Sequence, residues 1–301
     1  SIGVLRITSN TALTLQSSST TTQTFTITGG AGDDLDVQAG SSLLLNNATN
    51  AIAIVFASSG TNNTGNIAGT LTLSNGSNAL TTTGGTGTVV TVGSTGIVNL
   101  GPVGGTITGS TATLQFAAGS NYNHLFTATN GTIPTATWNA TSTVTVSGYN
   151  AASMVPSGLA QTFGNFAWNC ANQGSNNYNL SLTSNTFNVA GTFSVLSTGV
   201  SGSLRLAGTG SYTINVGNYF QSGGYLDLSS GASGTPSFNV SGSFTKTGGT
   251  FGSTGTSTNN PTLNFNGTVA QTASFNAQPT GPITYRFSNP AGVTFTGFTG
   301  T

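Results

Sequence analysis

A short phrase recurs four times in the second half of the chain. Each copy begins with an apolar residue, an asparagine and a second apolar residue, and ends on an apolar residue. The copies occupy residues 187–193, 214–220, 238–244 and 263–269, and their asparagines are 27, 24 and 25 residues apart. Self-similarity at a period of about 20 to 50 residues is typical of proteins built from stacked repeats. This repeat therefore constrains the fold more than any other feature.

Each copy alternates apolar and polar residues, which is the pattern of a short β-strand with one buried face. Glycine, serine and asparagine clusters, such as 222–224 and 229–234, separate the copies and supply the positive-φ turns that a chain needs to change direction. One period has room for about three short strands, for example 213–216, 218–221 and 225–228. The pattern predicts one coil of a parallel β-solenoid.

The first half of the chain shows the same pattern less regularly. Val37, Ile67 and Val92 each stand shortly before a glycine and a strand-like run, at spacings of 30 and 25 residues. We therefore predict an all-β fold, a right-handed parallel β-helix (β-solenoid) of about a dozen coils in one continuous domain. Tandem β-sandwiches are the alternative. The predicted parts are less regular coils at 1–130, an irregular junction at 131–180 and regular coils of about 25 residues at 181–301.

Charged side chains are scarce. The 301 residues include four basic and four acidic ones, with a formal net charge of zero and no glutamate. Binding of nucleic acid or of anionic lipid requires clustered lysines and arginines, and the longest apolar run, 51–57, is too short to cross a bilayer. We expect neither nucleic-acid binding nor membrane insertion. The neutral hydroxyl and amide groups suit exposed β-structure and also suit contact with carbohydrate.

Several passages resemble those of a known family. Residues 131–140 (GTIPTATWNA), 156–159 (PSGL) and 163–170 (FGNFAWNC) resemble a recurring passage in the large β-strand-repeat surface proteins of Bacteroidota. The resemblance covers about residues 120–301. It implies export by the type IX secretion system, display on the outer surface or release, and adhesin-like filaments used in attachment and gliding. It implies no catalytic residues. Phrases similar to the coils that follow in that family are 202–206 (GSLRL), 221–228 (QSGGYLDL) and 265–268 (FNGT).

The chain lacks the signal peptide and the C-terminal sorting domain of such proteins, so we expect a fragment of a longer chain. We predict a non-enzymatic, extracellular or cell-surface structural segment of an adhesin, which forms a stalk or filament. Expected partners are further repeats or neighbouring subunits of the same protein, glycans or other surfaces, and, by resemblance, the type IX secretion machinery. The alternatives are a self-assembling extracellular filament subunit and a β-helix protein that binds or cleaves polysaccharide.

Three of the four carboxylates lie close together. Asp33, Asp34 and Asp36 follow a glycine-rich run at 29–32, and the segment comes close to the calcium-binding nonapeptide G-G-x-G-x-D-x-U-x. Asp36 stands where that motif has a large apolar residue. Carboxylates beside glycine carbonyls can coordinate Ca²⁺. The segment is either a calcium site or a solvated acidic turn, and no other cofactor is expected.

The sequence predicts no enzyme activity. A β-helix polysaccharide lyase or hydrolase needs paired carboxylates, or a carboxylate-bound cation beside a basic residue. Asp227 is nearly two hundred residues from the other three carboxylates. The sole histidine, His124, has no carboxylate or serine at a catalytic spacing and is expected to be partly exposed. The sole cysteine, Cys170, has no cationic neighbour in sequence and is expected to be buried and inert.

Other residues are predicted to stabilise the stack. Arg205 and Asp227 occupy corresponding places in consecutive repeats, so stacking brings them together as an ion pair that contributes roughly 0.2–1 kcal/mol. The repeated asparagines are predicted to form a hydrogen-bonded ladder, as identical amides do in stacked sheets. The members of this ladder are Asn188, Asn215, Asn239 and Asn264.

Aromatic residues fall into two groups. Those that recur at the coil spacing are predicted to stack in the core, and they include Tyr219, Tyr225 and Phe244. A second group lies outside the strict repeats, and we predict that its members are exposed and provide a surface on which glycan rings stack. These candidate ligand-binding residues are Trp138, Tyr149 and Tyr178.

Overall fold

The computed structural model describes residues 1–30, 32–46, 50–59, 61–75, 77–182, 187–208, 210–231, 234–255 and 260–297. The fold is all-β, and its parallel sheets are stacked as a β-solenoid of about 11 turns. The predicted fold class is confirmed, while the right-handed sense of the coil stays a prediction. Tandem β-sandwiches are wrong, because sandwich sheets are antiparallel. Among the described residues, no helix is long and apolar enough to cross a membrane.

The first of two compact units comprises Ser1–Gly148 and Pro156–Gly158. Its strands pair in parallel to build three stacks. The first stack contains β1 (Leu5–Ile7), β4 (Leu35–Val37), β7 (Thr64–Ile67), β10 (Val89–Val92), β13 (Leu114–Phe116) and β15 (Thr137–Trp138). The second contains β2 (Ala12–Leu15), β5 (Ser42–Leu45), β8 (Thr70–Leu73), β11 (Ile97–Leu100), β14 (Asn121–His124) and β16 (Thr143–Val146). The third contains β3 (Gln23–Ile27), β6 (Ile52–Phe56), β9 (Ala79–Thr81) and β12 (Thr106–Thr108).

The core of the first unit consists of columns of inward side chains. Successive residues of a strand point to opposite faces of the sheet, and the in-register pairing places each inward side chain on its counterpart in the next coil. Because burial of one such side chain contributes about 1.5–3 kcal/mol, each column ties its coils together. One column, in the second stack, consists of Leu43, Leu71, Val98, Tyr122 and Val144, each at most 1% exposed.

The second unit comprises Tyr149–Val155 and Leu159–Thr301. One stack of four strands contains β19 (Asn177–Asn179), β21 (Ser203–Arg205), β23 (Tyr225–Asp227) and β26 (Thr250–Gly252). The remaining strands belong to a larger sheet. They are β17 (Thr162–Phe163), β18 (Asn165–Asn169), β20 (Asn188–Ser197), β22 (Thr213–Gln221), β24 (Ser237–Val240), β25 (Phe244–Lys246), β27 (Thr262–Phe265), β28 (Gln271–Phe275), β29 (Thr284–Phe287) and β30 (Val293–Thr296).

Two long strands of the second unit each pair with two shorter strands, β20 with β17 and β18, and β22 with β24 and β25. β20 and β22 have 10 and 9 residues, and their pairing shifts register between Val189 and Thr192. The first part of β22 then pairs with β24 and its last part with β25. A Cβ atom on Gly217, within β22, would lie 2.3 Å from the carbonyl oxygen of Ala190. Glycine therefore allows adjacent coils to approach closely at this irregularity.

Aromatic rings fill the core of the second unit. The ring of Tyr219 stacks on that of Phe244 with centroids 4.7 Å apart, and Phe244 stacks on Phe275 at 4.6 Å. Phe193 meets Tyr219 edge-on at 6.0 Å. All four side chains are at most 2% exposed. The prediction that Tyr219 and Phe244 stack in the core is confirmed.

The division between the two units falls between residues 148 and 159. This lies within 131–180, the segment that the sequence predicts to be an irregular junction. The organisation of residues 1–301 as one continuous domain, and the origin of the chain as a fragment, stay predictions.

Candidate functional site

A row of asparagine side chains runs along one face of the second unit. Asn188, Asn215, Asn239 and Asn264 are Cα partners in successive coils. Each later side chain donates from Nδ2 to Oδ1 of the asparagine before it, at 3.0, 2.9 and 3.0 Å. This is the arrangement that the repeat spacing predicts. The amide groups of this asparagine ladder link the coils in addition to the backbone hydrogen bonds.

The asparagine ladder has a direction, so its two ends differ. At one end, Asn188 Oδ1 accepts from the amide of Asn215, but Asn188 Nδ2 donates to no atom of the residues that the structure describes. At the other end, Asn264 Oδ1 is buried without a hydrogen-bond partner in the described part of the chain. Arg286, with an exposed side chain, is the Cα partner of Asn264. The ladder thus leaves donors unused at its first coil and an acceptor unused at its last.

A groove lies beside the asparagine ladder. Its volume is about 180 Å³, and the residues that line it come from successive coils and carry no charge. Its lining includes three residues of the ladder, which are Asn188, Asn215 and Asn239, and the exposed residues Ser241 and Asn266. We call this feature the ladder groove. It offers a row of neutral amide and hydroxyl groups to a ligand.

The first unit has a shorter ladder that the sequence pattern did not reveal. Asn99 Nδ2 donates to Thr72 Oγ1 at 3.2 Å, and Asn123 Nδ2 donates to Asn99 Oδ1 at 2.9 Å. The three residues are Cα partners in β8, β11 and β14. Each stands at the third place of its strand, which is the signal that could have found them. The neighbouring residues differ too much between these strands to be recognised as a repeated phrase.

The structure brings Arg205 and Asp227 together, as their places in the repeat predict. They are Cα partners in β21 and β23, and Arg205 Nε lies 3.3 Å from Asp227 Oδ2. The contact is an ion pair without hydrogen-bond geometry, since Arg205 Nε has no hydrogen-bond partner among the described residues. Asp227 is fully buried and accepts from the backbone N–H groups of Ser229 and Thr254, at 3.2 and 3.1 Å. The Thr254 hydroxyl also donates to it.

A second groove, of about 320 Å³, lies over turns of the second unit. Gly199, Gly224 and Gly249 line it with positive φ values of 74°, 65° and 67°. The half-buried ring of Tyr225 is part of the same lining. Burial raises the pKa of Tyr225, and the negative charge of Asp227 raises it further. The prediction that Tyr225 belongs to the stacked core is wrong, because its strand points this side chain outward.

The predicted exposure of Trp138, Tyr149 and Tyr178 is wrong. Trp138 is 8% exposed and stacks on Phe116 with centroids 4.0 Å apart. Tyr149 and Tyr178 are fully buried and meet edge-on at 5.6 Å, while the Tyr178 hydroxyl donates to the carbonyl oxygen of Ala151. Burial against other rings leaves these three side chains no face on which a glycan could stack.

The clustered carboxylates have separate partners. Asp36 Oδ2 lies 3.1 Å from Arg6 Nε. Asp34 Oδ2 accepts the backbone N–H of Thr64 at 2.8 Å, and Asp34 Oδ1 is buried without a hydrogen-bond partner. Asp33 is half-buried. Among the residues that the structure describes, no group of three histidine, cysteine, aspartate or glutamate side chains could hold a metal ion. Calcium binding by Asp33, Asp34 and Asp36 stays a prediction.

His124 is fully buried, so its predicted partial exposure is wrong. Its Nε2 lies 2.9 Å from the carbonyl oxygen of Asn130 and its Nδ1 lies 3.2 Å from the Tyr122 hydroxyl. A carbonyl oxygen can only accept, so Nε2 carries the proton and Nδ1 accepts from Tyr122. Burial lowers the pKa of His124 to about 4, although the Asn130 carbonyl opposes this shift. The imidazole is therefore neutral at pH 7.

No known protein family, curated protein or solved structure matches this chain. Its possible function therefore depends on the chemistry of its own side chains. In the described regions these are rows of neutral amide and hydroxyl groups, a buried ion pair and carboxylates that contact neighbouring coils.

Proposed function

We propose that this chain is a non-enzymatic structural segment of an extracellular, cell-surface adhesin, in which it forms a stalk or filament. The observation that carries the proposal is the asparagine ladder, in which four coils repeat the same side chain in the same place and bond it to the next. Such a ladder adds cohesion along the stacking direction. A stalk or filament under tension needs cohesion in that direction.

Stacked coils suit a mechanical role for a further reason. Each coil contacts only its neighbours, so stability grows with the number of coils and a long rod can be built from one unit. The core columns and the aromatic stack Tyr219–Phe244–Phe275 run through successive coils in the same way. A pulling force along the stack is then shared by backbone bonds, side-chain bonds and apolar contacts.

The environment of the carboxylates also supports a structural role. A general acid or base must exchange its proton with a substrate, whereas the Asp227 carboxylate is enclosed by three hydrogen bonds and an ion pair. Asp36 is held by Arg6 and Asp34 by the backbone of Thr64. These contacts favour a role of Asp34, Asp36 and Asp227 in the cohesion of the coils.

The location is part of the same proposal. The resemblance of residues 120–301 to type IX-exported surface proteins favours display outside the cell, with the type IX secretion machinery as the export partner. The uncharged polar surface fits contact with neighbouring repeats and with glycans. Binding of calcium by Asp33, Asp34 and Asp36 is part of the same proposal.

Immunogold electron microscopy of the cells that produce this chain tests the location and the role. We expect antibodies raised against the chain to label intact cells, and deletion of the segment to reduce their attachment to a surface. A control antibody against a cytoplasmic protein should label only permeabilised cells. Labelling by the anti-segment antibody that requires permeabilisation would contradict the proposal.

The non-enzymatic part is tested separately. The purified chain should release no reducing or unsaturated ends from a panel of polysaccharides, with calcium or with EDTA. Metal-dependent cleavage that disappears in the triple variant Asp33→Asn, Asp34→Asn, Asp36→Asn would overturn it. That outcome would favour the alternative of a polysaccharide-cleaving β-helix.

Polysaccharide binding without cleavage is a second candidate function. The ladder groove favours it, because its neutral amide and hydroxyl groups are repeated in successive coils. A stalk with such a groove would also contribute directly to adhesion.

A further inference from the structure

We infer that the ladder groove binds a single extended chain of a neutral polysaccharide. The inference rests on the proposed function for the setting, since it supposes glycans outside the cell, and it deepens that function by naming the ligand class and the site. Three features support it: the hydrogen-bond donors that the ladder leaves unused, the absence of charge in the groove lining and the repetition of the groove in successive coils.

The ladder groove contains asparagine N–H groups that donate to no described atom of the protein. Each asparagine amide has two N–H groups and an oxygen with two lone pairs. Asn215 and Asn239 each use one N–H for the neighbouring amide, so a second N–H remains on each. Asn188 Nδ2 donates to no described atom of the protein, and the exposed side chain of Asn266 makes no hydrogen bond within the described residues. The groove therefore carries donors in four successive coils.

Acceptors lie beside these donors. Asn215 Oδ1 receives one amide N–H, from Asn239, and retains a further lone pair. Asn239 Oδ1 is already filled, because it accepts from Asn264 Nδ2 and from the Ser237 hydroxyl. The Ser241 hydroxyl donates to the carbonyl oxygen of Val216 at 3.3 Å, which leaves its oxygen free to accept. A sugar hydroxyl both donates and accepts. It is therefore the group that such a mixed row satisfies best.

The absence of charge in the groove lining selects a neutral ligand. The charged residues nearest to the groove in sequence are bound elsewhere or lie outside it: Lys246 Nζ donates to Asn276 Oδ1 at 2.6 Å, and Arg205 pairs with Asp227. Arg286, the Cα partner of Asn264, is exposed beyond the end of the ladder and is not part of the lining. A polyanion would find no counter-charge in the groove, and burial of an unpaired charge is unfavourable.

The repetition selects a polymer. Parallel strands are spaced about 4.8 Å apart, so Asn188, Asn215 and Asn239 offer the same group at regular intervals. A polymer with regularly placed hydroxyls can engage several coils at once, whereas a monosaccharide would meet only one or two. Binding to successive coils gives the ligand a direction along the ladder.

Isothermal titration calorimetry of the full chain tests the inference, with soluble xyloglucan, galactomannan and laminarin as neutral probes and alginate as an anionic one. We expect at least one neutral probe to bind and alginate not to bind. The double variant Asn215→Ala, Asn239→Ala should weaken binding about tenfold, as the loss of two hydrogen bonds predicts. Asn266→Ala, whose side chain makes no bond in the ladder, should weaken it about threefold without changing the thermal midpoint.

The matched control is Asn99→Ala, Asn123→Ala. It removes the same kind of amide bond from the shorter ladder of the first unit, and it should leave the affinity unchanged. An equal loss of affinity in this control would overturn the inference.

Three further outcomes would also overturn it. They are the absence of heat with all three neutral probes, binding that is lost in Tyr225→Ala but not in the groove variants, and binding of alginate that Arg286→Ala abolishes. The second outcome would move the glycan to the groove beside Tyr225, and the third would make the ligand anionic. All of these results leave the surface location unaffected, because immunogold labelling decides that location.

Discussion

Arg205 lies 3.3 Å from Asp227 in the paired strand of the next coil, and the aspartate is fully buried while the arginine is 30% exposed. The chain has only four basic and four acidic residues. Two of them meet here, against a carboxylate that also accepts three hydrogen bonds. The arrangement makes the two partners unequal, because removal of the arginine leaves a carboxylate with hydrogen bonds, whereas removal of the aspartate leaves several donors without an acceptor.

The two single variants should therefore differ in stability. Asp227→Ala leaves Arg205 without its counter-charge and the backbone N–H groups of Ser229 and Thr254 without their acceptor. We expect it to lower the free energy of unfolding by about 3–5 kcal/mol. Arg205→Ala should lower it by about 1–2 kcal/mol, since the carboxylate keeps its hydrogen bonds. Urea unfolding followed by tryptophan fluorescence measures both. Equal losses, or a larger loss for the arginine variant, would contradict this account.

The asparagine ladder should contribute to the stability of the protein, which a ladder variant and a nearby control variant can show. Asn239 donates to Asn215 and accepts from Asn264 and from the Ser237 hydroxyl. Asn239→Ala should therefore cost roughly 1–3 kcal/mol of unfolding free energy, at about 1 kcal/mol for each hydrogen bond. Asn266→Ala, a nearby exposed asparagine outside the ladder, should change it by less than about 0.5 kcal/mol. Chemical denaturation of the two variants in parallel is the measurement. A ladder variant as stable as the control would show that the amide bonds add nothing.

The repeat spacing predicted these contacts because register in stacked parallel strands follows directly from spacing. Asn188, Asn215 and Asn239 occupy the same place in their copies, so parallel pairing brings them side by side. The same reasoning places Arg205 beside Asp227. What a period determines is which residues neighbour one another across coils. It does not determine which face of the sheet they occupy where the phrase breaks down.

The predictions of exposed aromatic rings are wrong because the repeat period does not indicate the face of the sheet outside the regular phrase. Trp138, Tyr149 and Tyr178 lie outside the regular phrase, so no alternation indicated their face, and their large rings are buried against one another or against Phe116. The ladder groove lies where long strands change their pairing at Ala190 and where later coils stack on it. A groove of this kind depends on three-dimensional stacking, for which no motif exists.

The thiol of Cys170 should be unreactive in the native protein. The side chain is fully buried, and burial raises its pKa to about 12, although a backbone hydrogen bond with Tyr149 opposes this shift. Only the thiolate is a good nucleophile, so at pH 8 we expect the rate of labelling by a disulfide reagent such as DTNB to fall by at least a hundredfold relative to the urea-unfolded chain. Absorbance of the released thiol reports the rate. Rapid labelling without denaturant would show that Cys170 is accessible.

The buried imidazole of His124 should make the stability of the protein depend on pH. Burial lowers its pKa from 6.5 to about 4 in the folded chain, so between these values the unfolded chain binds more protons. The contribution is fully present above pH 6.5 and is lost as pH falls to about 4, and it amounts to roughly 3 kcal/mol.

The variant His124→Gln keeps an N–H group for the Asn130 carbonyl but cannot be protonated. Its unfolding free energy should therefore fall less than that of the natural protein between pH 7 and pH 4, by the same roughly 3 kcal/mol. Urea unfolding at several pH values measures the difference, and comparison of the two proteins isolates the contribution of the imidazole. Parallel pH profiles would mean that His124 gains its proton without cost, in conflict with its burial between Tyr122, Phe126 and the backbone of Asn130.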